Sequence, residues 1–233
     1  MLRGRFKLAF GTAKKRTEGI VLDNFALVML TTGLLIGLFI ALSSDPLIAN
    51  KGSTMVEIGM VGLAMGLLFS VIQTYRTTGK FSLRSIYDNR IDMIEKNMII
   101  KWVVIGAVLV MAFQAVTGWT DYYKGAVMPL AGTLNLSLFY MGMGFVEEPL
   151  FRYGLLMMFV ILGCGAFISA LFSSTLFALY HLYVHALTEI VPFIAIFASG
   201  LALSVVVLRT KRLSTGMFIH GVMWNFIQAF KGG

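Results

Sequence analysis

Glu147, Glu148 and Arg152 lie in FVEEPLFRYG, residues 145 to 154, between two long stretches without Asp, Glu, Lys or Arg. Two histidines follow them, His181 at the end of FALYH and His220 inside MFIHGVMWN. Carboxylates and imidazoles are side chains that take and return protons near neutral pH. A glutamate converging with two imidazoles can activate a water in either of two ways. The histidines can hold a divalent metal with a position left open, or they can donate to an oxyanion that forms on a carbonyl. Glu148 and Arg152 stand i, i+4 with the acid first, the favourable order for an ion pair on a helix. Glu147 comes one residue earlier, about 100° around the helix, and needs a partner of its own.

The elements that must carry these groups are membrane helices. Of the 233 residues 58% are hydrophobic and 13% charged, and the mean hydropathy is +0.84, a balance typical of a chain whose solvent is largely lipid. Charge-free runs cover 25–44, 58–75, 102–119, 125–146, 153–188 and 190–208, and 213–230 is broken only by a histidine. Each is long enough to cross a hydrocarbon core of about 30 Å as a helix. The expected fold is therefore all-α and polytopic with seven spans, with room for an eighth crossing or a re-entrant piece. The acidic motif belongs to a helix from near 128 to near 162, the next helix runs from near 166 to 185, and GCG at 163–165 marks the break between them.

Basic residues set the orientation. Six Lys and Arg precede the first span, six lie between Arg76 and Lys101, and three lie in RTKR at 209–212, segments that alternate onto one face. The other face carries Lys51, Lys124 and Lys231, so the positive-inside bias puts the N-terminus in the cytoplasm and the C-terminus outside. Residues 1–24 read as a basic cytoplasmic segment and 25–233 as a single integral membrane domain in the cell membrane. The net charge of +8 is thus topological, and no nucleic-acid partner is expected, since no soluble face gathers the basic residues. The basic stretch followed by a full-length apolar run reads as a retained anchor. Between the second and third spans, Leu83, Ile86, Tyr87, Ile91, Ile94 and Met98 recur at helical spacing among charges, an amphipathic helix on the cytoplasmic surface. The one cysteine, Cys164, excludes an intramolecular disulfide and a thiolate cluster.

Charges at membrane depth cost several kcal/mol unless paired or facing a wet cavity, and here they are confined to the last four spans. A lone intramembrane histidine is as readily explained by a hydrogen bond to a neighbouring helix as by chemistry. His185 follows His181 at i, i+4 but lacks the adjacent Glu of H-E-x-x-H and falls at the outer interface. Phe177, four residues before His181, is expected to pack beside it. The scattered methionines fill gaps in the core, and the small residues of GLAMG at 62–66 mark a close helix contact within the monomer.

Taken in order, EEPLFR fits E-E-x-x-x-R, FALYH fits F-x-x-x-H and HGVMWN approximates H-x-x-x-N. These are the three motifs of the CAAX protease and bacteriocin-processing family of intramembrane glutamate proteases, which includes type II CAAX prenyl endopeptidases. The chain resembles that family over about 130–230, while the first three spans carry no motif. The resemblance implies a multi-helix membrane fold with a cavity open to the cytoplasm, where a water activated by the first glutamate cleaves a membrane-associated protein or peptide. On that carry-over Glu147 is the general base, Glu148 and Arg152 are the supporting acid and arginine, and His181 and His220 are the catalytic histidines. Any metal would be zinc, held by His181 and His220.

Two features strain the match. The family asparagine stands four residues after its histidine, whereas here 224 is Trp and Asn225 comes at five, which on a regular helix turns the amide to about 140° from His220. Asn225 reaches the site only if the helix carries a π-bulge or ends there. His220 also lies a few residues past RTKR while His181 lies some fifteen past GCG, a depth mismatch of about 13 Å that tilt or a sunken connection must absorb. The alternative to a protease is a non-proteolytic protein that binds a membrane partner, as an immunity protein or a sensor-kinase modulator does. A small transporter with a Glu/His proton relay should show internal pseudo-symmetry, and none is visible.

Overall fold

The computed structural model describes residues 20, 22–79, 133–185 and 190–223 and scattered positions between 97 and 108. In chain order the elements are α1 (Asn24–Ala41), α2 (Pro46–Thr78), α3 (Thr133–Glu148), a π-helical segment π1 (Pro149–Leu155), α4 (Leu156–Ile161), α5 (Ala166–His185), α6 (Ile190–Thr210), α7 (Leu213–Met217) and a second π-helical segment π2 (Phe218–Met223). Among the described residues there is no strand, in line with the all-α expectation. Among the described residues three helices are long and apolar enough to cross a membrane, Asn24–Ala41, Pro46–Arg76 and Phe193–Thr210, and Ala166–Leu182 is a shorter apolar stretch. The seven-span count is not reached. The run 102–119 falls almost wholly outside the described residues, the expected fourth span is interrupted by π1, and the seventh is described only to Met223. Most of the basic N-terminal segment and of the amphipathic helix also lie outside the described residues.

Helix ends follow local chemistry. The Asp23 carboxylate caps α1 by accepting from the Ala26 N–H at 3.0 Å. Asp45 does the same for α2, accepting from the Leu47 N–H at 2.8 Å, with Pro46 at the first helical position. Gly79 ends α2 in the left-handed region. The chain breaks at GCG, where Gly163 takes φ 90 and the Cys164 N–H donates to the Phe159 carbonyl at 3.0 Å.

Close backbone approach builds the bundle. A Cβ at Gly62 would overlap the backbone of Leu150, and one at Gly66 would overlap the Tyr153 ring, so α2 lies directly against π1. The small residues of GLAMG therefore make the intramolecular contact their spacing suggested. Two long-range hydrogen bonds tie helix ends together: Ser214 Oγ donates to Asp23 at 2.8 Å, and Arg76 Nη1 donates to the Ile161 carbonyl at 2.6 Å. In each pair the residues sit at helix ends that the alternation of basic segments assigns to one membrane face.

The α6–α7 connection is buried, with Thr210, Arg212, Leu213, Ser214 and Thr215 all inside the protein. Lys211 turns the chain at φ 58, the Thr210 hydroxyl donates to the Val206 carbonyl at 2.9 Å, and the Thr215 hydroxyl donates to the Arg212 carbonyl at 2.7 Å. This connection is packed inside the protein rather than lying on its surface.

Candidate active site

The two glutamates are the last residues of α3, and the next residue changes the helix. Pro149 has no N–H to give, and its ring crowds the preceding turn, so the helix opens to i→i+5 bonding over π1. Ser173 of α5 donates to the Phe151 carbonyl in π1 at 2.6 Å and fixes α5 against it. Ser174 approaches Ser204 at 3.4 Å and joins α5 to α6.

Glu148 and Arg152 are fully buried and paired, with Arg152 Nη1 3.3 Å from Glu148 Oε1. Arg152 also donates through Nη2 to the Gly200 carbonyl at 3.4 Å and lies 4.2 Å over the Phe177 ring. The same Glu148 Oε1 accepts from His220 Nδ1 at 2.9 Å, a partner that the spacing of Glu148 and Arg152 could not reveal. Glu148 is thus more than a brace for Arg152, because it also orients an imidazole. Glycines make this possible: a Cβ at Gly144 would stand 2.6 Å from the Gly221 Cα, and one at Gly216 would stand 2.7 Å from Glu148 Oε2. Larger residues there would push α7 and π2 off α3.

Glu147 finds the partners its position demanded. Its Oε2 lies 3.6 Å from His181 Nε2 and 3.8 Å from His220 Nε2. His181 Nδ1 lies 2.8 Å from the Phe177 carbonyl, an atom that can only accept, so Nδ1 carries the proton and Nε2 presents a lone pair in the neutral ring. Glu148 holds His220 through the Nδ1–H, which donates to its carboxylate. Phe177 packs 4.2 Å from the His181 ring, as expected, and also meets the His220 ring edge-on at 5.6 Å. The His220 side chain is 14% exposed against 3% for Glu147 and 8% for His181, so the cluster opens on the His220 side.

The structure thus brings together five of the sequence-predicted residues, Glu147, Glu148, Arg152, His181 and His220. Asn225 lies outside the described residues, as does the His185 side chain. His220 itself sits in π2, which is described to Met223.

Tetrahedral bonds of about 2.1 Å would place zinc donors about 3.4 Å apart, and Glu147 Oε2 stands 3.6 and 3.8 Å from the two ring nitrogens. Among the described residues no group of three or more His, Cys, Asp or Glu side chains is placed to hold a metal ion.

Comparison with known proteins locates this geometry. Residues 129–227 match the family model described as type II CAAX prenyl endopeptidase Rce1-like, the CAAX protease family that the three motifs resemble. No curated protein and no solved structure matches the chain.

Proposed function

We propose, taking the Rce1-like domain at 129–227 as premise, that this membrane protein is an intramembrane endopeptidase working through a glutamate-activated water. The observation that carries the reading is the convergence of both histidine Nε2 atoms on Glu147 Oε2. In this mechanism Glu147 takes a proton from a water whose oxygen attacks the scissile carbonyl carbon. His181, held neutral-side-in by the Phe177 carbonyl, accepts a hydrogen bond from that water and orients it. His220, carrying a proton on both ring nitrogens, donates through Nε2 to the oxygen that becomes negative, while its Nδ1–H stays on Glu148, whose carboxylate balances the charge of the ring. Glu147 then returns its proton to the leaving nitrogen as the C–N bond breaks.

Proteases of this family act on membrane-associated protein substrates. For this chain we propose a membrane-associated peptide or protein, reached from the cytoplasmic side, with the N-terminus in the cytoplasm and lipid around the helices. The partner-binding reading, immunity or sensor-kinase modulation, drew its support from Asn225 standing five residues after His220, and Asn225 lies outside the described residues. Zinc enters only as the alternative to the donor role of the imidazoles.

The test uses detergent-purified protein and two quenched-fluorescent peptides of one sequence, with and without a farnesylated cysteine. Wild-type protein should cleave at least one of them, and Glu147→Gln should be slower by about a hundredfold or more. Equal rates for the two proteins would overturn the proposal.

A further inference from the structure

One buried polar group beside this cluster has no part in the mechanism so far. Tyr180 precedes His181 on α5, and its ring stands edge-on to the imidazole, 5.3 Å away at 87°. Its other face meets the Phe151 ring of π1 at 5.5 Å. The side chain packs against an apolar cluster that includes Phe151, Phe177, Ala195 and Ile196, yet its hydroxyl is buried and finds no hydrogen-bond partner among the described residues. A buried phenol normally finds a partner, and an orphan calls for a specific explanation. The other orphaned phenol, Tyr153, belongs to a different place: its ring lies against Gly66 of α2, and its neighbour is Ser70. Tyr180 adjoins His181, one of the two rings that converge on Glu147.

We infer that the Tyr180 hydroxyl is a further catalytic donor, hydrogen-bonding to the scissile carbonyl oxygen from the wall formed by α5 and π1. The inference rests on the hydrolytic reading above. As the water oxygen bonds to the carbonyl carbon, the C=O π pair moves onto oxygen and Glu147 holds the proton taken from water. Tyr180 keeps its O–H bond and stabilises that oxygen through a hydrogen bond stronger to the anion than to the ground-state carbonyl. When the C–N bond breaks, the pair returns to C=O and nitrogen takes the proton from Glu147. A donor sitting unpaired in an apolar wall before substrate arrives needs no reorganisation when charge develops, which is the condition under which such donors are most effective.

Tyr180→Phe removes the hydroxyl and keeps the ring contacts. It is to be measured beside wild type and Glu147→Gln, with the peptide that wild type cleaves, resolving kcat from KM and recording melting temperature. The expected result is a kcat lower by about a hundredfold, a KM within about twofold of wild type, and a melting temperature equal or higher, since an unsatisfied buried group is gone. Wild-type kcat in Tyr180→Phe with an inactive Glu147→Gln overturns this inference and leaves the hydrolytic reading standing. Wild-type rates in both variants overturn both. A melting temperature several degrees below wild type overturns it as well, because it would mean that the hydroxyl holds the fold.

Discussion

At the scale of single residues the two glutamates divide by their partners. Glu147 lies against the two rings; if it is the base, Glu147→Gln keeps shape and removes it, and melting temperature should stay at the wild-type value while turnover collapses. Glu148 shares one oxygen between Arg152 and His220 at full burial. Removing either member of the Glu148–Arg152 pair strands a buried charge, a loss of about 3–5 kcal/mol. We therefore expect Glu148→Gln and Arg152→Ala to melt lower than wild type, and Glu148→Gln to lose turnover as well because His220 loses its counter-charge. Parallel melting and cleavage curves decide this, and a Glu148→Gln protein equal to wild type in both would refute the bridging role. His181→Ala and His220→Ala should each abolish cleavage while the protein remains folded; full activity in either would remove that residue from the site. Exhaustive chelation should leave cleavage intact, whereas stoichiometric zinc whose removal stops cleavage would replace donation by ligation.

At the scale of elements the site depends on how closely helices approach. The α7–π2 column can lie on α3 only because positions 144, 216 and 221 carry no side chain. Gly216→Ala would press a methyl on both Glu148 Oε2 and Val207, so it should lower turnover and melting temperature together. Gly165→Ala meets open space at the start of α5 and should behave as wild type. If the two variants are indistinguishable in cleavage and melting, close packing at 216 is not what positions Glu148. Pro149 has a comparable role through the backbone, since the π-turn it opens sets the register of Arg152, Tyr153 and the carbonyl that Ser173 holds.

At the scale of the whole molecule the question is which way the bundle faces. Asp23 meets Ser214, and Arg76 meets Ile161, so the start of α1, the end of α2, the end of α4 and the start of α7 pair as alternating basic segments require. We expect that face to be cytoplasmic. With Cys164 first changed to serine, a cysteine at Lys211 should react only with reagent admitted to the cytoplasmic side and one at Lys51 only from outside. The reverse pattern would invert the topology and the side from which substrate arrives.

How much of this was legible beforehand can be argued residue by residue. Composition and charge-free runs determined that the solvent is lipid and that the fold is helical, because a backbone in hydrocarbon must satisfy its own hydrogen bonds. The cost of charge in that solvent singled out Glu147, Glu148, Arg152, His181 and His220, and the double glycine around Cys164 located the break before α5. Sequence periodicity assumes 3.6 residues per turn, however, and two stretches that hold candidate residues depart from it, one after Pro149 and one around His220. Counting along the chain likewise could not show that His220 meets Glu147, since that approach is a tertiary fact. The second partner of Glu148 and the unpaired hydroxyl of Tyr180 were invisible for a related reason. Each depends on which atoms of distant helices meet, and that is set by glycine-permitted backbone approach rather than by any spacing within one helix.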